Sequence, residues 1–297
     1  MTESPRILIG TLYSGENEFE QCKASVRAQT YPHREHVVFK NLPNKEAHDT
    51  LYRTFMERAD EFQLFVKLDA DMVLGEETLL EQIVDYWRRT PSLDHLSLAV
   101  RDWYTDDLME SMHVFSHRAR WHKREESRFV DHSPVIPGAK RSIDDKTAPV
   151  VHHSPDPSPA QAFRFGVHRA LKAMQPERSP MHYRQSRYQW AVLKKCWRHF
   201  ERVRDRRLGL VMMGAENVIE GALGGAAYDA SGVDRFKSLK AQAESRTSDD
   251  LFRRLVPRWG KRVQREVRYL REVGPGRLLP AMGRYLGYQT KKKIGWT

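Results

Sequence analysis

The 297-residue sequence predicts an α/β fold: a Rossmann-like, mostly parallel mixed sheet flanked by helices, then a helical, basic C-terminal region. Three observations carry this. Strand-like and helix-like apolar periods alternate through residue 89 in the order β-α-β-α-β-α, which calls for parallel strands joined by right-handed crossovers. The apolar run Phe65 to Leu74, FVKLDADMVL, is broken by two acids, Asp69 and Asp71, separated only by Ala70. The net charge of +11 is divided unevenly: residues 155–297 hold 30 Lys and Arg against 13 Asp and Glu, and residues 1–154 hold 20 against 26. An acidic first half thus precedes a basic second half, a split expected of a metal-using catalytic portion and a portion that meets something anionic.

The first strand is Arg6 to Leu12, opened by Pro5 and closed by the turn residues Tyr13, Ser14 and Gly15. Glu16 to Gln29 is a helix by the spacing of Phe19, Cys22 and Val26, and it stops before Pro32. His36 to Lys40 is a second strand. Ala47 to Arg58 is a helix with Leu51, Phe55 and Met56 on one side. The third strand carries the acids, and Glu76 to Arg89 is the third helix. His95 to Tyr104 and Met112 to His117 are further strands. A short strand ends in His152 and His153, and a proline-stiffened loop then leads to a helix from about Ala160 to Met174. Tyr188 to Arg207 and the weakly charged Leu208 to Ala227 read as helices, and so does the Leu251, Leu255, Trp259 stripe. The expected division is 1–175 for the catalytic portion and 176–297 for the helical one.

Asp69 and Asp71, on the same side of an extended chain, concentrate negative charge at the carboxyl end of a buried strand, where open α/β sheets bind ligands. A hard cation, Mg²⁺ or Mn²⁺, relieves that repulsion and leaves positions open for substrate phosphates. Asp71 as a turn or helix-cap acid is the competing assignment.

Ile7 to Leu12 (ILIGTL), Ser25 to Pro32 (SVRAQTYP), a strand, and then Leu68 to Asp71 (LDAD) together resemble the nucleotide-sugar half of a GT-A glycosyltransferase of the family 2 type, over roughly residues 5–170. The resemblance implies a hexosyltransferase that is metal-dependent and inverting. It would move a sugar from a nucleoside diphosphate, UDP favoured, to a carbohydrate or lipid-linked acceptor, as in surface polysaccharide synthesis. It places Thr11 and Tyr13 at the base and ribose, with Glu16 beside them or serving as a first-turn helix acid. Asn41 and Lys45 fall near base or phosphate, Lys45 being equally a solvated loop residue. Asp69, with Ala70, falls near ribose and metal, and Asp71 is the metal ligand. A general base takes the proton of the acceptor hydroxyl. Asp131, in RFVDHS, matches that base by spacing, although a lone Asp followed by His replaces the family's Glu-Asp pair; Asp144 and Asp145 compete with it. A His after the acceptor region serves some GT-A enzymes as a further metal ligand. Strand alternation lets only one of His152 and His153 face the metal, with His153 preferred and a loop role for both equally open.

Two cysteines, Cys22 and Cys196, predict a reducing compartment and no disulfide framework. The N-terminus lacks the pattern of a signal peptide, and no apolar run reaches membrane-spanning length. The expected location is therefore cytoplasmic, with peripheral contact between the basic helices and an anionic membrane as one use of that charge and self-association as another. Two other functions fit the sequence less well. A sugar-phosphate nucleotidyltransferase lacks its Gly-rich, Arg- and Lys-bearing loop here, since residues 13–20 read YSGENEFE. A basic nucleic-acid-binding protein lacks any zinc-finger, RNP or Gly-x-x-Gly motif, so no nucleic-acid partner is expected.

Overall fold

The computed structural model describes residues 4–90, 92–123, 134–143, 150–174, 181–223, 234–261, 279 and 283. It divides into two compact units, one of the described residues up to Ser158 and one from Pro159 onward.

The first unit is a mixed α/β sheet. Its elements are β1 (Ile7–Tyr13), α1 (Phe19–Arg27), β2 (Arg34–Lys40), α2 (Asn44–Glu57), β3 (Leu64–Lys67), β4 (Met72–Leu74), α3 (Leu79–Arg89), β5 (Leu93–Asp102), β6 (Asp107–Ser116), β7 (Ala139–Ile143) and β8 (Val151–His153). The strand order is β2-β1-β3-β6-β5-β8-β4, with β7 also paired to β5. β1 runs parallel to β2 and β3, and β5 runs parallel to β7 and β8. The pairs β3/β6, β5/β6 and β4/β8 are antiparallel.

Period-two alternation sorts the strand residues into two cores. Ile7, Ile9 and Val66 pack with α1 and α3 through Cys22, Val26, Leu80 and Ile83. Leu8 and Phe65 pack on the opposite face with Leu51 and Phe55 of α2, beside Trp121. α2 lies close to β1 because Gly10 has no side chain: a β-carbon there would meet Leu51 and come within 2.9 Å of the Phe65 ring.

The structure corrects the expected third strand. It stops at Lys67, because the amide of Met72 turns back onto the carbonyl of Asp69 at 2.9 Å. β4 is a separate strand that pairs with β8.

The second unit is helical: α4 (Pro159–Met174), α5 (Met181–Val203), α6 (Arg206–Ile219), α7 (Asp234–Glu244) and α8 (Ser248–Trp259). α6 is buried from Leu208 through Ile219, as its apolar sequence implied. It crosses α4 at backbone contact, since a β-carbon on Gly166 would strike the carbonyl of Val211 and one on Gly214 the carbonyl of Phe163. The buried Glu216 carboxylate within α6 accepts hydrogen bonds from Trp259 Nε1 at 2.5 Å and Arg258 Nη1 at 3.0 Å. The expected helix through Arg207 is broken at Arg204, whose φ is +57°, and Asp205 then caps α6 by accepting from the Arg207 amide.

Candidate metal centre

β5, β8 and β4 lie side by side, and their register decides which side chains meet. His153 pairs with Asp102 on one neighbour and Met72 on the other, so the ring arrives between the end of β5 and the turn that carries Asp71. Its Nδ1 lies 2.6 Å from Asp102 Oδ1 and its Nε2 3.5 Å from Asp71 Oδ2. Asp102 is 2% exposed. Its second oxygen, Oδ2, accepts from the Thr105 amide at 2.8 Å and the Thr105 hydroxyl at 2.6 Å.

The next residue, Ser154, holds Asp71 twice. Its amide donates to the Asp71 carbonyl at 2.7 Å and its hydroxyl to Asp71 Oδ2 at 2.8 Å. Ser154 makes both bonds at φ +48°, a left-handed conformation that costs energy for a residue with a side chain. Behind it the buried Tyr104 hydroxyl bonds to Ser154, and burial, reinforced by the Asp71 charge, holds that phenol well above its ordinary pKa. The loop after β8 is fastened to the start of α1: Glu18, fully buried, accepts from the Asp156 amide, and Asn17 donates to the Asp156 carbonyl.

Asp69 is held by a different partner. The turn at 69–72 removes the simple alternation, and its carboxylate is paired with the Lys67 ammonium. Burial alone would raise its pKa; Lys67, with His48 and His153 behind it, outweighs this and holds the carboxyl below its usual value. Cys22, whose thiol contacts the Asp69 carbonyl, registers the same negative field: burial first, then Asp71 and Asp69, push it up to about 12.

The other described candidates lie on or beside β1, β2, α2 and β8, with Ala70 in the 69–72 turn. Thr11 is buried and its hydroxyl lies 3.0 Å from His36 Nε2, inside the sheet. Tyr13 stacks on Phe19 at 4.1 Å. Glu16 closes the turn after β1 by accepting from the Ser14 amide and hydroxyl. Asn41 is exposed at φ +54° and donates its amide to the Tyr13 carbonyl, so these two loop ends lie side by side. Lys45 is exposed at the start of α2, and Ala70 is buried. His152 pairs with Val73 and Arg101; burial, then Arg101, lowers its pKa. Asp131, Asp144 and Asp145 lie outside the described residues.

Sequence reasoning did not assign Lys67, His48, Glu18, Tyr104, Thr105 or Ser154. Lys67 left a signal: alternation places it on the same side as Asp69, two residues on. Ser154 and Thr105 left none, since their roles come from loop conformation.

Among the described residues, no three His, Cys, Asp or Glu side chains converge on one point by themselves. Asp71 and His153 nonetheless suit a shared cation: two donor atoms 3.5 Å apart can both lie about 2.1 Å from one ion. An oxygen and an imidazole nitrogen form a donor set that Mn²⁺ accepts, and Mg²⁺ and Mn²⁺ complete their shells with water and substrate phosphate.

No protein-family model and no curated protein matches the chain. Among solved structures it is similar to the mannosyltransferase PcManGT from Pyrobaculum calidifontis in complex with GDP-Man and Mn²⁺, at 14% identity over 93% of this chain and 88% of that one, with a TM-score of 0.38. It is also similar to S. aureus TarS, at 11% identity over 84% of this chain and 54% of that one, with a TM-score of 0.31. Overlaps this loose assign no function.

Proposed function

We propose that the chain is a metal-dependent glycosyltransferase, inverting, that takes a nucleoside-diphosphate sugar, UDP-linked by preference, and delivers the sugar to a carbohydrate or lipid-linked acceptor. The observation that carries this is the meeting of Asp71 and His153 at the carboxyl end of the strands, with Asp69 in the same turn. Asp71 and His153 would hold Mn²⁺ or Mg²⁺, which when bound neutralises the charge gathering on the departing diphosphate.

The chain's own residues do the rest. Tyr13 and Asn41, joined through backbone, border the end of β1 where base and ribose would rest. Asp69 would accept from sugar or ribose hydroxyls, and the Lys67 ammonium beside it would supply a cation for phosphate oxygens. The acceptor hydroxyl oxygen attacks the anomeric carbon as the bond from that carbon to the diphosphate oxygen breaks. Its proton passes to a carboxylate, for which Asp131 is the candidate and Asp144 and Asp145 the competitors. The second unit offers exposed Arg187, Arg198 and Arg202 on α5, a surface suited to an anionic acceptor or lipid headgroups.

A thermal-shift screen of UDP-, GDP- and CMP-sugars with and without Mn²⁺ tests the reading. One family of donors should raise Tm only when Mn²⁺ is present, because stabilisation requires preferential binding to the folded state. Equal shifts with and without metal contradict it.

A further inference from the structure

We infer that Asp102 is a positioning residue that fixes the tautomer of His153, keeping a ring proton on Nδ1 so that Nε2 is the nitrogen presented beside Asp71; what that nitrogen then binds rests on the metal reading above. The argument is one of hydrogen-bond accounting. Asp102 is almost wholly buried, and as a carboxylate it can only accept. Oδ2 is occupied by two donors from Thr105, one of them a backbone N–H that can never accept. Oδ1 therefore faces His153 Nδ1 at 2.6 Å with nothing to offer but a lone pair, so the proton at that contact belongs to the imidazole. In the imidazolium form Nε2 also carries a proton, shared with Asp71; once the ring is neutral the proton that remains is the one on Nδ1, and the lone pair falls on Nε2, the atom 3.5 Å from Asp71 Oδ2. With the opposite tautomer, Nε2 would carry a proton and could not act as a ligand. A carboxylate behind a histidine also raises its basicity as a ligand.

The Asp102→Asn protein provides a sharp test, because the amide is nearly isosteric but carries its own donors. The Thr105 amide still demands an acceptor, so the Asn oxygen turns to Thr105 and its NH₂ faces His153 Nδ1. That arrangement moves the ring proton to Nε2. Two-bond ¹H–¹⁵N spectra of the full chain at pH 8, with His153 assigned by its loss in His153→Gln, read the tautomer directly and without metal. The expected result is an Nδ1–H ring in the wild type, an Nε2–H ring in Asp102→Asn, and a Mn²⁺ affinity lowered about 10- to 100-fold in the variant. A neutral wild-type ring protonated on Nε2 rather than Nδ1 overturns the inference even if the variant fails to fold. So does an unchanged tautomer together with unchanged Mn²⁺ affinity in the variant. If the tautomer switches as described but neither protein binds Mn²⁺, Asp102 keeps its role and the metal reading is what fails.

Discussion

Asp71 is held by Ser154 through both its backbone carbonyl and its side chain, so its carboxylate is aimed before any ligand arrives. The two Ser154 variants separate the contributions. Ser154→Gly relieves the left-handed strain but drops the hydroxyl, whereas Ser154→Ala keeps the strain and drops the hydroxyl. The Gly protein should be the more stable of the two by about 1 kcal/mol in chemical denaturation, with donor binding weakened in both. His36 supplies a pH prediction. Burial, with Lys23 and Arg27 behind it, lowers its pKa from 6.5 to about 4. Between those values the unfolded chain takes up a proton that the folded chain refuses, so stability falls as pH drops from 6.5 toward 4. His36→Gln, which retains an acceptor for the Thr11 hydroxyl, should lose less of its Tm over that interval. A pH profile of Tm parallel to the wild type's would contradict this.

At the scale of elements, the backbone contact between α4 and α6 is the least forgiving. Gly214→Ala would place a methyl against the Phe163 carbonyl and should cost about 1–3 kcal/mol of unfolding free energy, read as a lower denaturation midpoint at unchanged slope. These elements also show what the sequence made legible. α1, α2 and α3 fall where Cys22, Leu51 and Ile83 recur at helical spacing, because one face of each is buried. The break between β3 and β4 was hidden, since FVKLDADMVL is equally apolar on both sides and only a turn hydrogen bond divides it. Alternation sends the His152 and His153 rings opposite ways, and it is the His153 ring that lies 3.5 Å from Asp71. The grip of Ser154 on Asp71 left no local signal, because it comes from the loop after β8, far along the chain.

Across the whole molecule, charge and fold run together: the first unit carries the acids of the candidate centre, while the region beyond residue 155 holds 30 Lys and Arg against 13 Asp and Glu. No helix among the described residues is long and apolar enough to cross a membrane. The basic surface predicts sedimentation with vesicles of anionic lipid, absent with neutral vesicles and lost as salt rises, each cation near the surface contributing about 1 kcal/mol. Equal binding to both vesicle types would remove charge as the cause.

The central claim is that Asp71 and His153 together hold a divalent cation that grips a diphosphate. Electron paramagnetic resonance of Mn²⁺ titrated into the protein with UDP or GDP present measures this most directly, because bound and free ion differ in signal. The account predicts saturable binding in the wild type that is lost in Asp71→Ala and strongly weakened in His153→Ala, with both variants folded by circular dichroism. Binding of the same strength in all three proteins would contradict it.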